Sequence, residues 1–323
     1  MRHKLIKLFY TDRMIPKELT GSYSWSPSKP KFLLNLLGDM GLLPLFDINN
    51  EFDGFRDEDF HVAHNPEYVT AFFQGQQPLC ESNSIPWSQD FSNTVRYTNA
   101  SLYNAIKHSI EHPEQVSLSP TSGFHHAQPS CGMGFCTFSG QVIASVKLFE
   151  DLGVRGAYLD LDGHFGNSIE DSRDYVPSLT GAIPYRMNIN PLGRNSRYLD
   201  SLTASLAALR EAILDNDIDY VVWCHGADSH SDDDLGGGQC DTTYWVECAK
   251  VFFQWVKDLD AERGKPLPVT LTLFGGYRPD HYRSVLELHV ADITQCTSVL
   301  LGTSDHPHVP QLNDKWGYET YIP

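Results

Sequence analysis

The 323-residue chain lacks a basic surplus, a paired-cysteine motif and any long apolar run, and each absence removes a class of protein. Its 24 Lys and Arg stand against 41 Asp and Glu, a formal charge of −17. That balance argues against a surface that tracks nucleic-acid phosphates and favours the approach of cationic ligands. The seven cysteines form an odd set without a C-x-x-C pair, unlike a disulfide framework or a thiolate zinc site, so a reducing, cytoplasmic setting is expected. No stretch of 18 apolar residues occurs, and the basic start "MRHKLIKLFYTDRMIP" is too interrupted for a secretory signal, so a soluble chain without membrane contact is expected. A G-x-S-x-G elbow is missing, which weighs against a serine hydrolase. Internal repeats and low-complexity linkers are also missing, and 41% apolar content suffices for one large core, so residues 1–323 are expected to form one domain.

What is present is an alternation of helix and strand patterns through the second half. "QVIASVKLFEDLGV" spaces Val142, Val146, Phe149 and Leu152 as a helix does and stops near Gly153, after which "GAYLDLD" reads as a buried strand. "YLDSLTASLAALREAIL" carries Leu199, Leu202, Leu206, Leu209 and Ile213 at helical spacing before the strand "DYVVWCHGAD". "TTYWVECAKVFFQWVKDL" similarly precedes "PVTLTLFGGY". Repeated crossovers predict an α/β fold in three layers, a mainly parallel sheet with helices on both faces.

Polar clusters follow four strands: "TSGFHHA", "DGHFGN", "GADSHSDDD" and "GGYRP". In open α/β sheets the site lies beyond the carboxyl ends of the strands, so these clusters should converge. In "YLDLDGHFGN", strand alternation sends Asp160, Asp162 and His164 to one side and Leu159 and Leu161 to the other. Unpaired buried charge is costly, so such a group calls for a cation, a hydrogen-bond network or open water. Asp162, His164 and Asp228 could hold one metal ion and leave a position for water and substrate, as catalytic zinc requires; Fe(II) and Mn(II) suit the mixed donors as well. His125 and His126 add two groups able to move protons near neutral pH, and Asp160 could orient one of their rings. Tyr277, after Gly275 and Gly276, could place a phenol donor over the metal.

Taken together these stretches resemble the zinc-dependent histone deacetylase and acetylpolyamine amidohydrolase family of the arginase-deacetylase fold. "SGFHHA" is similar to its PGHHA segment, "GFCTFSGQVIA" to its GFC-x-x-N-N-x-A-x-A segment, and "LDLDGHFGN" to its D-x-D-x-H-H-G-N/D segment. "GADSHSDDDLGG" is similar to G-x-D-x-H-x-x-D-P-L-G, "FGGY" to GGGGY, and "HNPEYVTAFF" to H-x-x-x-Y-V, all in the family's order. The resemblance implies Asp162, His164 and Asp228 as zinc ligands, His126 as general base and acid, and His125 as its electrostatic partner. It further implies Asp160 and Asn167 as the groups behind the two histidines, Tyr277 as the residue polarising the acyl carbonyl, and Gly134, Phe135 and Gly276 as substrate contacts. The implied reaction is hydrolysis of an acylated amine, acetyl-lysine foremost, with acetylpolyamines or small amides as the alternative and a silent acyl-ligand binder as a second.

Two departures qualify the resemblance. Phe165 replaces the second histidine of the D-x-H-H segment, a change expected to be tolerated because that position is not a ligand. Between Asn167 and "YRMNIN" the chain is short and the Pro-Gly-Thr-Gly loop is not recognisable, which leaves the structural potassium and the opposing aromatic wall open and suggests a wider mouth. A two-manganese ureohydrolase shares the implied fold, but Gly166 and His230 stand where it needs acids, so one metal is expected. The sequence leaves the oligomeric state open.

Overall fold

The computed structural model describes residues 2–236, 238–303 and 306–312. Seven strands form one sheet: β1 (Ile6–Phe9), β2 (Phe46–Asn49), β3 (Ser117–Ser119), β4 (Gly156–Asp160), β5 (Asn188–Ile189), β6 (Tyr220–Cys224) and β7 (Val269–Thr272). Their order is β2-β1-β3-β7-β6-β4-β5 and every pairing is parallel. The mainly parallel sheet expected from the crossovers is therefore wholly parallel among the described strands. No helix among the described residues is long and apolar enough to cross a membrane.

Alternation along the central strands builds two cores. Ala157 and Leu159 of β4 and Val221 and Trp223 of β6 enter one apolar cluster, and Tyr158, Tyr220 and Val222 enter the other. Helices Lys29–Asp39, Ser196–Leu214, Thr242–Arg263 and Tyr282–Gln295 contribute to the first cluster. Helices Pro66–Phe73, Gln89–Glu111 and Gly140–Leu152 contribute to the second. Strands buried on both faces read as continuous apolar runs, which is why β4, β6 and β7 stand out in the sequence.

The predicted helix over 141–154 spans Gly140–Leu152 and ends at Gly153 in the left-handed conformation, φ 72°. The next predicted helix covers Ser196–Leu214 and buries Tyr198, Leu202, Leu206, Leu209 and Ile213. Leu199 of the predicted stripe is only half-buried, because the buried face starts with Tyr198.

The four strands that carry polar clusters, β3, β7, β6 and β4, are consecutive neighbours at the centre of the sheet. Parallel pairing puts their carboxyl ends on one edge, so four loops far apart in sequence meet above it.

Candidate metal centre and active site

β4 ends at Asp160, so Asp162 and His164 lie in the loop beyond it and not on the strand as alternation predicted. Loop hydrogen bonds gather them instead. The Asp162 amide donates to Asp160 Oδ1 (3.2 Å) and the His164 amide to Asp162 Oδ1 (3.0 Å). Asn190, just past β5, accepts from the Gly166 amide (2.8 Å), and Asn188 Nδ2 donates to the Gly166 carbonyl (2.8 Å), fixing the following turn.

Asp162, His164 and Asp228 bring one ligand atom each within 4.8 Å of one another, the one such group of three among the described residues. His164 Nδ1 lies 3.2 Å from Asp162 Oδ1 and 3.0 Å from Asp228 Oδ2, whereas its Nε2 faces the Leu235 carbonyl at 3.0 Å. A carbonyl only accepts, so Nε2 carries a proton, and Nδ1 is the nitrogen left to share a proton or a metal ion with the carboxylates. Asp162 Oδ2 accepts from the Gly275 amide (2.8 Å) and Asp228 Oδ1 from the Gly163 amide (2.9 Å), which fixes both carboxylates. Gly275 must lack a side chain, because a Cβ there would lie 2.3 Å from Asp228 Oδ2.

The electrostatics fit a cation at this point. Burial, then the neighbouring Asp162, pushes Asp228 up to about 8. Burial acts in the same sense on Asp162, but His125 and His164 outweigh it and hold that carboxyl well below the usual range. Hydrogen bonds to Asp162 and Asp228, against burial, raise His164 to about 11. Protons thus collect where two buried acids crowd one imidazole nitrogen, and a divalent ion with one nitrogen and two oxygen donors would replace them.

Beside this group stand the two histidines of "GFHHA", their ring centroids 4.0 Å apart. His125 Nδ1 meets Asp160 Oδ2 at 2.9 Å, and Nε2 lies 3.6 Å from Asp162 Oδ1. Burial disfavours its charged form, but Asp162 and Asp160 overcome that and raise it to about 9. His126 Nδ1 meets Asn167 Oδ1 at 2.7 Å. Burial, then the charge of His125, lowers His126 to about 4. One ring is held charged and the other neutral, which separates an electrostatic role from a proton-accepting one.

Tyr277 is nearly buried, its ring centroid 6.3 Å from that of His164 and 5.5 Å from that of Phe135. Burial, then Asp162 and Asp228, pushes its phenol well above 10, so it stays a hydrogen-bond donor. Gly134 (φ 52°) and Gly276 (φ 140°) take conformations that L side chains resist, and a Cβ on Gly134 would lie 2.8 Å from His126 Cδ2. Every predicted site residue therefore lies at this one end of the sheet.

Three neighbours escaped the sequence reading. Lys29 is fully buried and donates to the carbonyls of Phe274 and Gly275 (2.9 Å for the latter). Burial lowers it to about 8, against the pull of Asp228 and Asp162. Asp233 accepts from the amides of Tyr277 (2.6 Å), Leu235 (2.9 Å) and Gly236 (2.9 Å), joining the tyrosine loop to the carbonyl that holds His164. Asp171 accepts from Asn167 Nδ2 at 2.6 Å. Asp233 sits inside a quoted motif and was open to notice, but nothing in "SPSKPKFL" marks Lys29 as buried. Glu81, farther out in "PLCESNSIPW", accepts from the Trp87 amide and from Gln77.

The rival two-metal arrangement meets a steric bar, because a Cβ at Gly166 would lie 2.1 Å from Asp160 Oδ2. His230 is buried, with Nε2 at 2.9 Å from Thr242 Oγ1 and Nδ1 accepting from the Asp232 amide. Phe165 is 58% exposed, consistent with a position that holds no ligand.

Comparison with known proteins agrees with this architecture. Residues 24–182 match the Histone deacetylase domain. The structure superimposes on the crystal structure of the HDA15 HD domain with a TM-score of 0.69, at 17% identity, over 95% of this chain and 91% of that one, so the two share the arginase-deacetylase fold. Histone deacetylase 2 of Oryza sativa subsp. japonica is 28% identical over 131 residues, 36% of this chain and 25% of its own. Probable histone deacetylase 19 of Zea mays is 24% identical over 159 residues, 45% and 30% respectively. An uncharacterized protein of Picosynechococcus sp. is 31% identical over 110 residues, 33% and 36%. The chain thus matches only a quarter to about a third of the length of these curated relatives. The domain match and the relatives support a likeness to the histone deacetylase family over part of the chain, and the solved structure shows the shared fold. The matched domain segment ends before Asp228 and Tyr277, and the sheet brings both to the site.

Proposed function

We propose that the protein is a metal-dependent deacetylase that hydrolyses acylated amines, acetyl-lysine in peptides or proteins foremost. The observation that carries this reading is the meeting of Asp162, His164 and Asp228 beside a charged and a neutral histidine and a buried phenol. A Zn²⁺ or Fe²⁺ ion held by those three residues would supply Lewis acidity to the acyl carbonyl and acidity to a water. His126, with Nδ1 committed to Asn167, takes the water proton at Nε2 and later delivers it to the leaving amine. His125, anchored on Asp160, keeps its charge and stabilises the negative charge that develops. Tyr277 donates its phenolic hydrogen to the acyl oxygen, and Phe135 shields the aliphatic stem of the substrate.

The charge of −17 favours a second substrate class, acetylated polyamines, whose remaining amines are cationic. A reducing compartment, the cytoplasm, suits seven free cysteines, six of them buried. The test is a panel of acetyl-lysine peptides, longer acyl-lysine peptides, acetylputrescine and acetylspermidine, with metal analysis on the same sample. Release of acetate with one metal per chain supports the proposal. Ureohydrolase activity with two metals, or acyl-ligand binding without turnover in a metal-replete sample, overturns it.

A further inference from the structure

Asn167 poses a problem that an aspartate in its place would not. An aspartate offers only acceptors to the ring behind it, whereas an amide has one accepting and one donating end and can turn over. With Oδ1 toward His126, Nδ1 carries the ring proton and Nε2 keeps the lone pair that base catalysis needs. With Nδ2 toward His126, Nδ1 becomes the acceptor and Nε2 the protonated nitrogen, which cannot accept the water proton.

We propose that Asp171 is a positioning residue that locks the Asn167 amide and thereby selects the working tautomer of His126. This rests on the reading of His126 as the general base. The short helix Ser168–Asp171 begins directly after Asn167, and its backbone bond from the Asp171 amide to the Asn167 carbonyl (2.9 Å) brings the two side chains together. Asp171 Oδ2 then accepts from Asn167 Nδ2 at 2.6 Å and, at 3.3 Å, from Gln128 Nε2. A carboxylate accepts only, so the amino end of Asn167 faces it and the oxygen is left for His126 at 2.7 Å. Arg173, the nearest cation along the chain, is occupied by Glu170 at 2.6 Å and does not compete. The chain His126–Asn167–Asp171 places its charge at the solvent edge, one residue removed from the ring. The same carboxylate accounts for the amide: an aspartate at 167 would set two like charges within hydrogen-bond distance.

The test uses the full chain, loaded with Zn²⁺ and labelled with ¹⁵N-histidine, with the His126 signal assigned by its loss in His126→Ala. The wild type should show His126 protonated at Nδ1 only. In Asp171→Ala a second population protonated at Nε2 should appear, and kcat should fall about fivefold with KM and metal content unchanged, as loss of a partly screened charged hydrogen bond allows. Asp171→Asn, which keeps an accepting oxygen, should recover part of both. Asp171 is exposed, so these variants retain the fold. A single Nδ1-protonated His126 in Asp171→Ala would overturn the proposal. If the wild type fails to deacylate any substrate, the functional reading falls, while the tautomer measurement still decides this one.

Discussion

Replacing His64 should flatten the acid limb of the stability curve. His64 is fully buried, with Nδ1 facing the Gln128 carbonyl at 2.9 Å and Nε2 accepting from the Ser139 amide at 2.8 Å. Those partners demand a neutral ring, because a second ring proton would confront the Ser139 N–H. Burial lowers its pKa from 6.5 to about 4, only partly opposed by the backbone of Gln128. Between those values the unfolded chain binds a proton that the folded chain refuses, so stability is complete above pH 6.5 and declines as pH falls toward 4. Such a shift corresponds to about 3 kcal/mol in full, and to roughly 2 kcal/mol by pH 5. Urea unfolding of wild type and His64→Gln, measured from pH 7 down to pH 4.5, isolates the contribution, because carboxylate titrations are common to both. The wild type should lose about 2 kcal/mol more than the variant on going from pH 7 to pH 5. Parallel curves for the two proteins would refute the reasoning.

Two further outcomes follow from the site. Tyr277→Phe removes only the donor aimed at the acyl oxygen, so kcat for an acetyl-lysine peptide should drop on the order of 10²-fold with KM nearly unchanged; a loss of less than threefold in steady-state assays would remove the tyrosine from the chemistry. His164→Ala deletes the one nitrogen donor of the triad, so metal content by elemental analysis should fall from one ion per chain to near zero after dialysis, and full retention would place the ion elsewhere.

How much could be read in advance depended on how each residue earns its place. β4, β6 and β7, buried on both faces, declare themselves as apolar runs, and the helices between them repeat leucine and aromatic residues on one side. The first half is quieter. β1 and β2 are four residues each, and the helix Gln89–Glu111 turns Ser92, Thr94, Asn99, Ser101 and Ser109 inward, so its buried face does not look apolar. Ser101 reaches the Phe9 carbonyl and Ser119 there, contacts that no periodicity reveals. In the site, the motifs exposed the groups that meet substrate. Their supports, Lys29, Asp171 and the Leu235 carbonyl, act through partners brought close only by the finished fold.

The position of β7 has a further consequence for how the chain is made. The last described strand is not added at an edge; it slots between β3, made early, and β6. Until it arrives, β3 keeps one flank of unpaired backbone, an adhesive border for a nascent chain. Closure of that gap pairs β1, β2 and β3 with β6, β4 and β5, so a chain that stalls before residue 269 carries two half-sheets without the strand that hydrogen-bonds to both.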